Sequence, residues 1–291
     1  MNMWLVGAGY WGSKLLAGLD KIGVQGQVID IRNDQTIDDI TDSGPVMLAT
    51  PLWQHHEQTI ALLDRGHDVY VEKPMAETVA QVQAIQQAQQ DGQLLMVGHI
   101  FIHHPQMLLI KDLTKSGVIG AVQHITSRRL NWGIYQTKTS PTLSLAAHDI
   151  SIVTELTGID CKVDHAQGQS LSNRDQYDRV QFSGQSGNVS FDIDVSWCWP
   201  VRTRQTVVIG TTGQIVWDQD ANTVSLFHNR IENDRAVAKS PVVYEYNYDL
   251  SPLEHELQHW VNCIKTRSQP TTGVAQALAV ARTIDQVHAL L

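Results

Sequence analysis

Cysteine is scarce in this 291-residue chain, which has three: Cys161, Cys198 and Cys263. Their wide spacing provides no C-x-x-C pattern for a zinc or redox site, so we expect free thiols in a reducing compartment. No apolar run approaches the length of a transmembrane helix. Met3–Val6 already resembles a strand leading into glycines, so we expect no signal peptide and a cytoplasmic protein.

Positive charge is also limited, because 21 Lys and Arg residues face 30 Asp and Glu residues, for a formal net charge of −9. No basic patch offsets this charge, which argues against a nucleic-acid or anionic-membrane partner. Phosphate ligands remain open, since helix N-termini and backbone N–H groups bind phosphate without Lys or Arg. The hydrophobic content of 42% indicates a globular chain, and the length suggests two domains.

Short apolar runs alternate with helical periodicity in the first third of the chain. This alternation predicts an α/β domain of the Rossmann type, with a doubly wound parallel sheet. The predicted strands are Met3–Val6, Gln27–Ile31, Val46–Thr50, Asp68–Val71 and Leu94–Val97. The predicted helices are Trp11–Lys21, Gln54–Arg65 and Glu77–Gln90.

The pattern changes after about Gly117, where short strands with one apolar face predominate. We therefore predict an N-terminal domain over residues 1–117 and an α+β domain with a mostly antiparallel sheet over residues 118–291. A helix at His148–Leu156 should pack on this sheet, and two helices should end the chain. One apolar face should serve self-association; it is formed by Val189, Phe191, Ile193, Val195 and Trp197.

A glycine-rich turn lies between the first predicted strand and helix. Its sequence is Gly7-Ala8-Gly9-Tyr10-Trp11-Gly12, the G-x-G-x-x-G spacing of a dinucleotide-binding turn. Asp30 follows at the end of the second strand, where an acidic residue binds the ribose. Its carboxylate would repel a 2′-phosphate, so we expect NAD rather than NADP, although Arg32 could accept that phosphate.

Lys73 stands with Glu72 and Pro74 at the carboxyl end of the fourth predicted strand. Ligands of open α/β sheets bind at this edge, which puts Lys73 where a nicotinamide ring would lie. A lysine there can take the proton of a hydroxyl group as hydride leaves the same carbon. Taken alone, a lysine before a proline is more often a surface feature.

A longer pattern surrounds Lys73. It comprises Ala49-Thr50-Pro51, His55, Arg65-Gly66-His67-Asp68-Val69-Tyr70-Val71-Glu72-Lys73-Pro74, Gly98, Pro105, Gly117-x-x-Gly120, Pro252-Leu253-x-x-Glu256-Leu257, Pro270 and Gly273. This pattern resembles the glucose–fructose oxidoreductase / inositol dehydrogenase / MocA (Gfo/Idh/MocA) family over nearly the whole chain. The resemblance implies a Rossmann domain, an antiparallel sheet domain, and dimers or tetramers.

The resemblance also implies roles for individual residues. Thr50, Pro51 and His55 match positions that line the dinucleotide cleft, and Glu72 matches one near the nicotinamide ribose. Lys73 matches the lysine that contacts substrate and cofactor.

The family's usual Asp-x-x-x-His motif is incomplete in this chain. His148 matches the histidine, but Ser144 stands where the aspartate would be and cannot supply a carboxylate. The resemblance therefore leaves Lys73 and His148 as the catalytic pair. Without the resemblance, a single histidine before a helix is more often structural.

The stretches Gly98–Pro105, Ser127–Asn131 and Ala146–Ser151 resemble the subset of the family that acts on nucleotide sugars. Substrate contacts are then expected from Lys73, Arg128, Asn131 and His148. Arg128 and Arg129 fit either a diphosphate site or a solvated charged pair. Trp132 and Tyr135 could stack on a sugar or base, or pack in the core.

The leading interpretation is an NAD(P)-dependent sugar dehydrogenase. Two alternatives stay open: a glycosidase of the same fold that uses NAD transiently, and a non-enzymatic regulator that senses NAD. His55-His56 and His103-His104 are adjacent pairs without a carboxylate or cysteine cluster, so we expect no metal.

Overall fold

The computed structural model describes residues 2–133, 139–172, 176–246 and 249–291. The chain forms two compact units. Unit 1 comprises Met1–His104 and Asp249–Arg282, and unit 2 comprises Pro105–Tyr248 and Thr283–Leu291. No helix in these described ranges is long and apolar enough to cross a membrane.

Unit 1 contains a five-stranded sheet in which all neighbouring strands are parallel. The order is β2-β1-β3-β4-β5, so the direction of strand addition reverses between β1 and β3, where such sheets bind ligands. The predicted doubly wound sheet is confirmed. The elements are β1 (Asn2–Val6), α1 (Tyr10–Lys21), β2 (Gln25–Ile29), β3 (Val46–Leu48), α2 (Leu52–Asp64), β4 (Val69–Glu72), α3 (Val79–Ala88) and β5 (Leu95–Gly98).

Two strand ends differ from the sequence prediction in a way that affects the site. Strand β2 stops at Ile29, because the Asp30 side chain accepts a hydrogen bond from the Arg32 backbone N–H and begins a 3₁₀ turn. Strand β4 runs on through Glu72, which pairs with Gly98 of β5. Lys73 is therefore the first residue beyond the strand.

Unit 2 contains an eight-stranded sheet of order β15-β12-β11-β10-β6-β9-β8-β7. Only the β6–β9 pair is parallel, which confirms the predicted mostly antiparallel sheet. The elements are α4 (Pro105–Lys115), β6 (Val122–Trp132), α5 (Ala147–Thr157), β7 (Lys162–Gln169), β8 (Arg179–Ser186), β9 (Val189–Ser196), β10 (Cys198–Gly210), β11 (Gln214–Asp218), β12 (Thr223–Phe227), a hairpin of β13 (Arg230–Glu232) and β14 (Arg235–Val237), and β15 (Val242–Glu245).

The apolar face of β9 is not a free surface. Phe191, Ile193, Val195 and Trp197 are each at most 3% exposed within a single chain. Helix α5 packs on β6, β8 and β9 and covers this face. The prediction that these residues form a self-association surface is therefore wrong, because the helix that the sequence also predicted already occupies the face.

The last two helices are α6 (Pro252–Thr266) and α7 (Val274–Leu290). Helix α6 begins with a capping box, in which Ser251 and Glu254 satisfy each other's backbone N–H groups. Leu257 and Trp260 of α6 join one core cluster of unit 1, and Ala277 and Leu278 of α7 join the other. The compact units therefore do not follow the predicted single boundary at residue 117. The reason is that the core of unit 1 combines residues of Met1–His104 with residues of Asp249–Arg282.

Candidate active site

The glycine-rich turn connects β1 to α1 as the sequence predicts. Gly7 has a φ of +90°, and a Cβ there would lie 2.9 Å from the Ala49 carbonyl oxygen. A Cβ at Gly12 would overlap the Gly7 carbonyl oxygen. A Cβ at Gly9, the N-cap of α1, would meet no described atom within 4 Å. The first and third glycines are therefore required by packing, whereas the second leaves open space at a helix N-terminus, where a pyrophosphate fits.

A cavity of about 420 Å³ adjoins this turn. It is formed by the carboxyl ends of β1, β2 and β3 together with the first turns of α2. Of the predicted cofactor residues, five line it: Gly7, Gly9, Asp30, Thr50 and Pro51. The cavity has the position and size for the adenosine part of a dinucleotide.

Asp30 is tied to both the turn and Arg32. Its Oδ2 accepts the Ala8 backbone N–H at 2.8 Å, and its carboxylate pairs with the guanidinium through Nε–Oδ1 at 2.9 Å and Nη2–Oδ2 at 2.6 Å. These bonds, above all those from the Arg32 side chain, hold the pKa of Asp30 well below its usual range. Asp30 is therefore ionised, and an arginine stands beside it at the edge of the cavity.

Thr50, Pro51 and His55 join the end of β3 to the start of α2. The Thr50 hydroxyl donates to Gln58 Oε1 at 2.7 Å. The buried His55 ring lies 2.9 Å from two carbonyl oxygens, those of Thr50 and Pro74. Burial lowers the pKa of His55, so a neutral ring donates to one of the two carbonyls. His55 thus positions the loops after β3 and β4 and does not line the cavity.

Trp11 and Glu72 meet behind the glycine turn. The Trp11 indole N–H donates to Glu72 Oε1, and the Tyr70 hydroxyl lies 3.1 Å from the same oxygen. A Cβ at Gly98 would overlap the Tyr70 hydroxyl, so the glycine that ends β5 makes room for this group. Burial raises the pKa of Glu72 to about 7, against the opposing effects of Trp11 and Lys73.

Lys73 is half-buried at the carboxyl end of β4, and its peptide bond to Pro74 is cis. His99, directly after β5, is 1% exposed, and neither ring nitrogen has a hydrogen-bond partner among the described residues. Burial, together with the positive charge of Lys73, lowers the pKa of His99 to about 3. A neutral imidazole therefore accompanies the amine of Lys73.

Tyr10 belongs to the glycine motif but points away from the cavity. Its ring is exposed, and its hydroxyl accepts a bond from Lys14 Nζ at 2.9 Å. The predicted cofactor residues thus form two groups. One lines the cavity, and the other, Trp11 with Glu72 and Lys73, surrounds the carboxyl end of β4.

His148 lies in the first turn of α5, in unit 2, and is half-buried. Its neighbour Asp149 is completely buried and forms a bidentate pair with Arg129, with both N–O distances 2.9 Å. Ser127 donates a third hydrogen bond to the same carboxylate at 2.8 Å. This buried pair fixes the start of α5 on β6, and with it the backbone that carries His148.

The two adjacent arginines of β6, Arg128 and Arg129, have different surroundings. Consecutive strand residues point to opposite faces, so Arg129 is buried against Asp149 while Arg128 is exposed. The structure therefore contradicts a diphosphate site that uses both guanidinium groups. Asn131 shares the face of Arg129, and its buried Oδ1 has no hydrogen-bond partner in the described ranges. Trp132 is exposed rather than packed in the core, and Tyr135 lies outside the described residues.

Tyr70, His99 and Glu256 have no predicted role, although all three fall within the stretches that resemble the family. Tyr70 lies within β4, His99 directly after β5 and Glu256 in α6, so their burial and the Tyr70–Glu256 contact are not visible in a linear pattern. Among the described residues, no group of three or more His, Cys, Asp or Glu side chains is arranged to hold a metal ion.

Comparison with known proteins agrees with this geometry. Residues 19–99 match the sequence model of GFO_IDH_MocA, described as "Oxidoreductase family, NAD-binding Rossmann fold". A 2,7-anhydro-N-acetylneuraminate hydratase from Mediterraneibacter gnavus is 30% identical over 160 residues, which cover 48% of this chain and 41% of that protein. A 4-carboxy-2-hydroxymuconate-6-semialdehyde dehydrogenase from a Sphingobium species is 22% identical, with 100% of this chain and 99% of that protein covered.

The fold extends to solved structures. The UDP-N-acetylglucosamine 3-dehydrogenase from Acidithiobacillus ferrooxidans is similar with a TM-score of 0.82 and 18% identity, covering 100% of this chain and 97% of that one. At this identity the likeness concerns the fold of both units and not the substrate. The family match, by contrast, begins at the end of α1 and includes Asp30, Thr50 and Pro51 of the cavity and the Glu72-Lys73-Pro74 edge, but not the glycine-rich turn. Residues 19–99, which lie within unit 1, are therefore similar to the NAD-binding Rossmann domain of the Gfo/Idh/MocA oxidoreductase family.

Proposed function

We propose that this protein is an NAD-dependent dehydrogenase that oxidises a secondary hydroxyl group of a sugar. The observation that carries the proposal is the position of Lys73, an amine at the carboxyl end of β4 in the same unit as a dinucleotide cavity. Unit 1 carries the cavity and Lys73, whereas His148 belongs to unit 2.

Different residues are assigned to cofactor binding and to proton transfer. Bound NAD supplies the hydride acceptor. The glycine turn holds the pyrophosphate and Asp30 the adenosine ribose, while Lys73 takes the proton of the substrate hydroxyl. His148 orients that hydroxyl or shares its proton, without a carboxylate partner at position 144.

Within this class we favour a nucleotide sugar as substrate. Asn131 lies on the face of β6 that packs against α5, the helix that carries His148, and its buried amide oxygen has no partner among the described residues. Arg128 is exposed on the opposite face of the strand, so we no longer count it among the substrate contacts. The similar fold of a UDP-N-acetylglucosamine 3-dehydrogenase supports this choice. Arg129 takes no part, because Asp149 already binds its guanidinium.

The test is NADH formation, followed by absorbance, with a panel of UDP-sugars and the matching free sugars. We expect reduction of NAD with at least one UDP-sugar and a weaker response to the free sugar. Activity with free sugars alone would reject the nucleotide-sugar assignment. NAD binding without turnover on any sugar would favour the regulatory alternative.

A second candidate is a reaction in which NAD is reduced and reoxidised within one turnover. The relative that is 30% identical over 160 residues is a hydratase. A hydration has no net redox change, so this likeness favours the second candidate. Mass spectrometry of the same reactions, including 2,7-anhydro-N-acetylneuraminate, separates the two: a changed product without net NADH would indicate the second candidate.

Self-association remains an expectation from the family. The apolar face of β9 is occupied by α5, so a partner would have to use another surface, such as the opposite face with His124, Thr126 and Asp192. Light scattering at micromolar concentration tests this expectation, and a monomer would contradict it.

A further inference from the structure

Two carboxyl groups meet around one tyrosine in the interior of unit 1. The Tyr70 hydroxyl lies 3.1 Å from Glu72 Oε1 and 3.1 Å from Glu256 Oε2. Glu72 belongs to β4, and Glu256 comes from α6 near the other end of the chain. Glu72 is 8% exposed and Glu256 is 0% exposed, so water does not screen the pair.

The hydrogen bonds of this group require an additional proton. Burial and the two carboxyl groups raise the pKa of Tyr70 well above its ordinary value, so its hydroxyl stays neutral. A neutral hydroxyl has one proton and can donate to only one carboxyl group. The second 3.1 Å contact is a hydrogen bond only if a carboxyl group donates to the Tyr70 oxygen. One of the two glutamates must therefore be a neutral acid.

The surroundings decide which glutamate keeps the proton. Glu72 accepts the Trp11 indole N–H and the Lys73 backbone N–H, and it faces the charge of Lys73. Glu256 has the Tyr70 contact, and its Oε1 has no hydrogen-bond partner within the described part of the chain. An ionised oxygen left unpartnered costs more than a neutral carbonyl oxygen. Burial, with the charge of Glu72, raises the pKa of Glu256 well above its ordinary value.

We propose that Glu72 and Glu256 share one proton through Tyr70, and that Glu256 is a positioning residue that holds this proton as a neutral acid while Lys73 is charged. The Tyr70 hydroxyl then donates to Glu72, which stays ionised beside the ammonium group.

The network responds when Lys73 becomes neutral. The Glu256 Oε2–H bond breaks and its proton binds Tyr70 Oη, while the original Tyr70 proton transfers to Glu72 Oε1. The network keeps one carboxyl proton and a single negative charge throughout. Glu256 thus supplies a proton to the Glu72 side of the site without contact with solvent. The role beside Lys73 rests on the proposed function, whereas the protonation state of Glu256 does not.

Infrared spectroscopy of the cofactor-free protein at pH 8 tests the proton's location, because a neutral buried carboxyl group has a carbonyl band distinct from ionised carboxylates. We expect this band in the wild type and in Glu72→Gln, and its loss in Glu256→Gln. Glu254→Gln is the control on the same helix, since Glu254 is ion-paired to Lys21 at 2.8 Å, and it should keep the band. Absence of the band in the folded wild type, or its persistence in Glu256→Gln, would overturn the proposal.

A double variant tests the coupling to Lys73. In Lys73→Met/Glu256→Gln the ammonium group is gone, so Glu72 should take up a proton and the missing band should return. If the band stays absent in this variant, proton sharing with the Glu72 side is wrong. Circular dichroism checks that every variant is folded. Because no substrate is used, these results are independent of whether the dehydrogenase assignment holds.

Discussion

The indole N–H of Trp11 donates a hydrogen bond to the carboxylate of Glu72. Trp11 lies in the glycine-rich turn, and Glu72 directly precedes Lys73. Two motifs that are 61 residues apart are therefore connected by one part-buried hydrogen bond. The phosphate-binding turn and the lysine that we place in the chemistry are held in a fixed relation by this bond.

Trp11→Phe removes the donor and keeps a ring. We expect a loss of about 1.5–3 kcal/mol in the free energy of unfolding at pH 8, where Glu72 is mostly ionised. The loss should shrink at pH 5.5, because Glu72, with a pKa of about 7, is then neutral. Urea unfolding at both pH values measures the effect. Trp4→Phe is the control, since its bond to Asp42 is exposed; an equal pH-dependent loss in both variants would contradict the prediction.

Gly9→Ala separates binding from folding. Its Cβ would meet no described atom within 4 Å, so stability should change by less than about 1 kcal/mol. The methyl group would occupy the space of the pyrophosphate, so NAD affinity should fall by about tenfold or more. Gly12→Ala is the contrasting variant, because its Cβ overlaps the Gly7 carbonyl and should destabilise the fold. Thermal unfolding and fluorescence titration give the two readouts; undiminished NAD affinity in Gly9→Ala would reject the assignment of this turn.

Cofactor preference depends on Asp30 and Arg32. The ionised Asp30 should make NAD bind about tenfold more tightly than NADP, and Asp30→Ala should narrow this difference. Arg32→Ala removes the cation that pairs with Asp30 and leaves the Asp30 charge uncompensated. Because that charge repels a 2′-phosphate, NADP binding should weaken more than NAD binding. Titration of both cofactors by fluorescence measures these ratios. Arg230→Ala, on the exposed β13 strand of unit 2, should change neither ratio; tighter binding of NADP to the wild type would refute the preference.

Lys73→Met tests the chemical role. We expect kcat to fall by about 10²–10⁴-fold while NAD affinity stays nearly constant, because the turn and Asp30 are untouched. His148→Ala should lower kcat by a smaller factor, since Ser144 supplies no carboxylate to raise the basicity of His148. Single-turnover reduction of bound NAD with the substrate from the sugar panel measures both. Reduction at the wild-type rate in Lys73→Met would show that the lysine is not the proton acceptor.

His99 should make the fold sensitive to acid. Its pKa is about 3 in the folded chain and near 6.5 when unfolded, so the unfolded state binds more protons between these values. Stability is therefore full above about pH 6.5 and falls as the pH is lowered, by about 2 kcal/mol at pH 5 for this one group. His99→Leu should reduce the loss between pH 7.5 and pH 5 by that amount, measured by urea unfolding. His165→Leu, at an exposed position, should leave it unchanged; equal acid sensitivity in wild type and His99→Leu would contradict this.

The fold of unit 1 was predictable because β3, β4 and β5 are buried apolar runs and α3 has a distinct start. Thr78 and Gln81, for example, form the capping box of α3. Helix α4 and strands β7 and β15 were not predicted. Strand β7 reads Lys-Val-Asp-His-Ala-Gln-Gly-Gln and has little apolar alternation; its place at the sheet edge depends on pairing with β8.

The candidate site was predictable where a motif fixes the backbone. Gly7, Gly9 and Asp30 needed only local geometry, and the structure brings them to one cavity. Tyr70 and Glu256 are 186 residues apart, so their contact follows from how α6 packs on unit 1 and not from any local pattern. Arg129 was misjudged for the same reason, because its partner Asp149 comes from a different element.

The core of unit 1 is completed by residues that are synthesised after most of unit 2. Its first segment ends at His104, but its sheet is packed on one side by α6 and on the other by α7, after all of Pro105–Tyr248 has been made. Unit 2 in turn includes Thr283–Leu291. The usual order, in which the first domain folds while the second is synthesised, therefore does not apply. Unit 1 cannot complete its core until α6 and α7 have been synthesised, so the nascent chain carries an incompletely packed sheet while residues 105–248 are made.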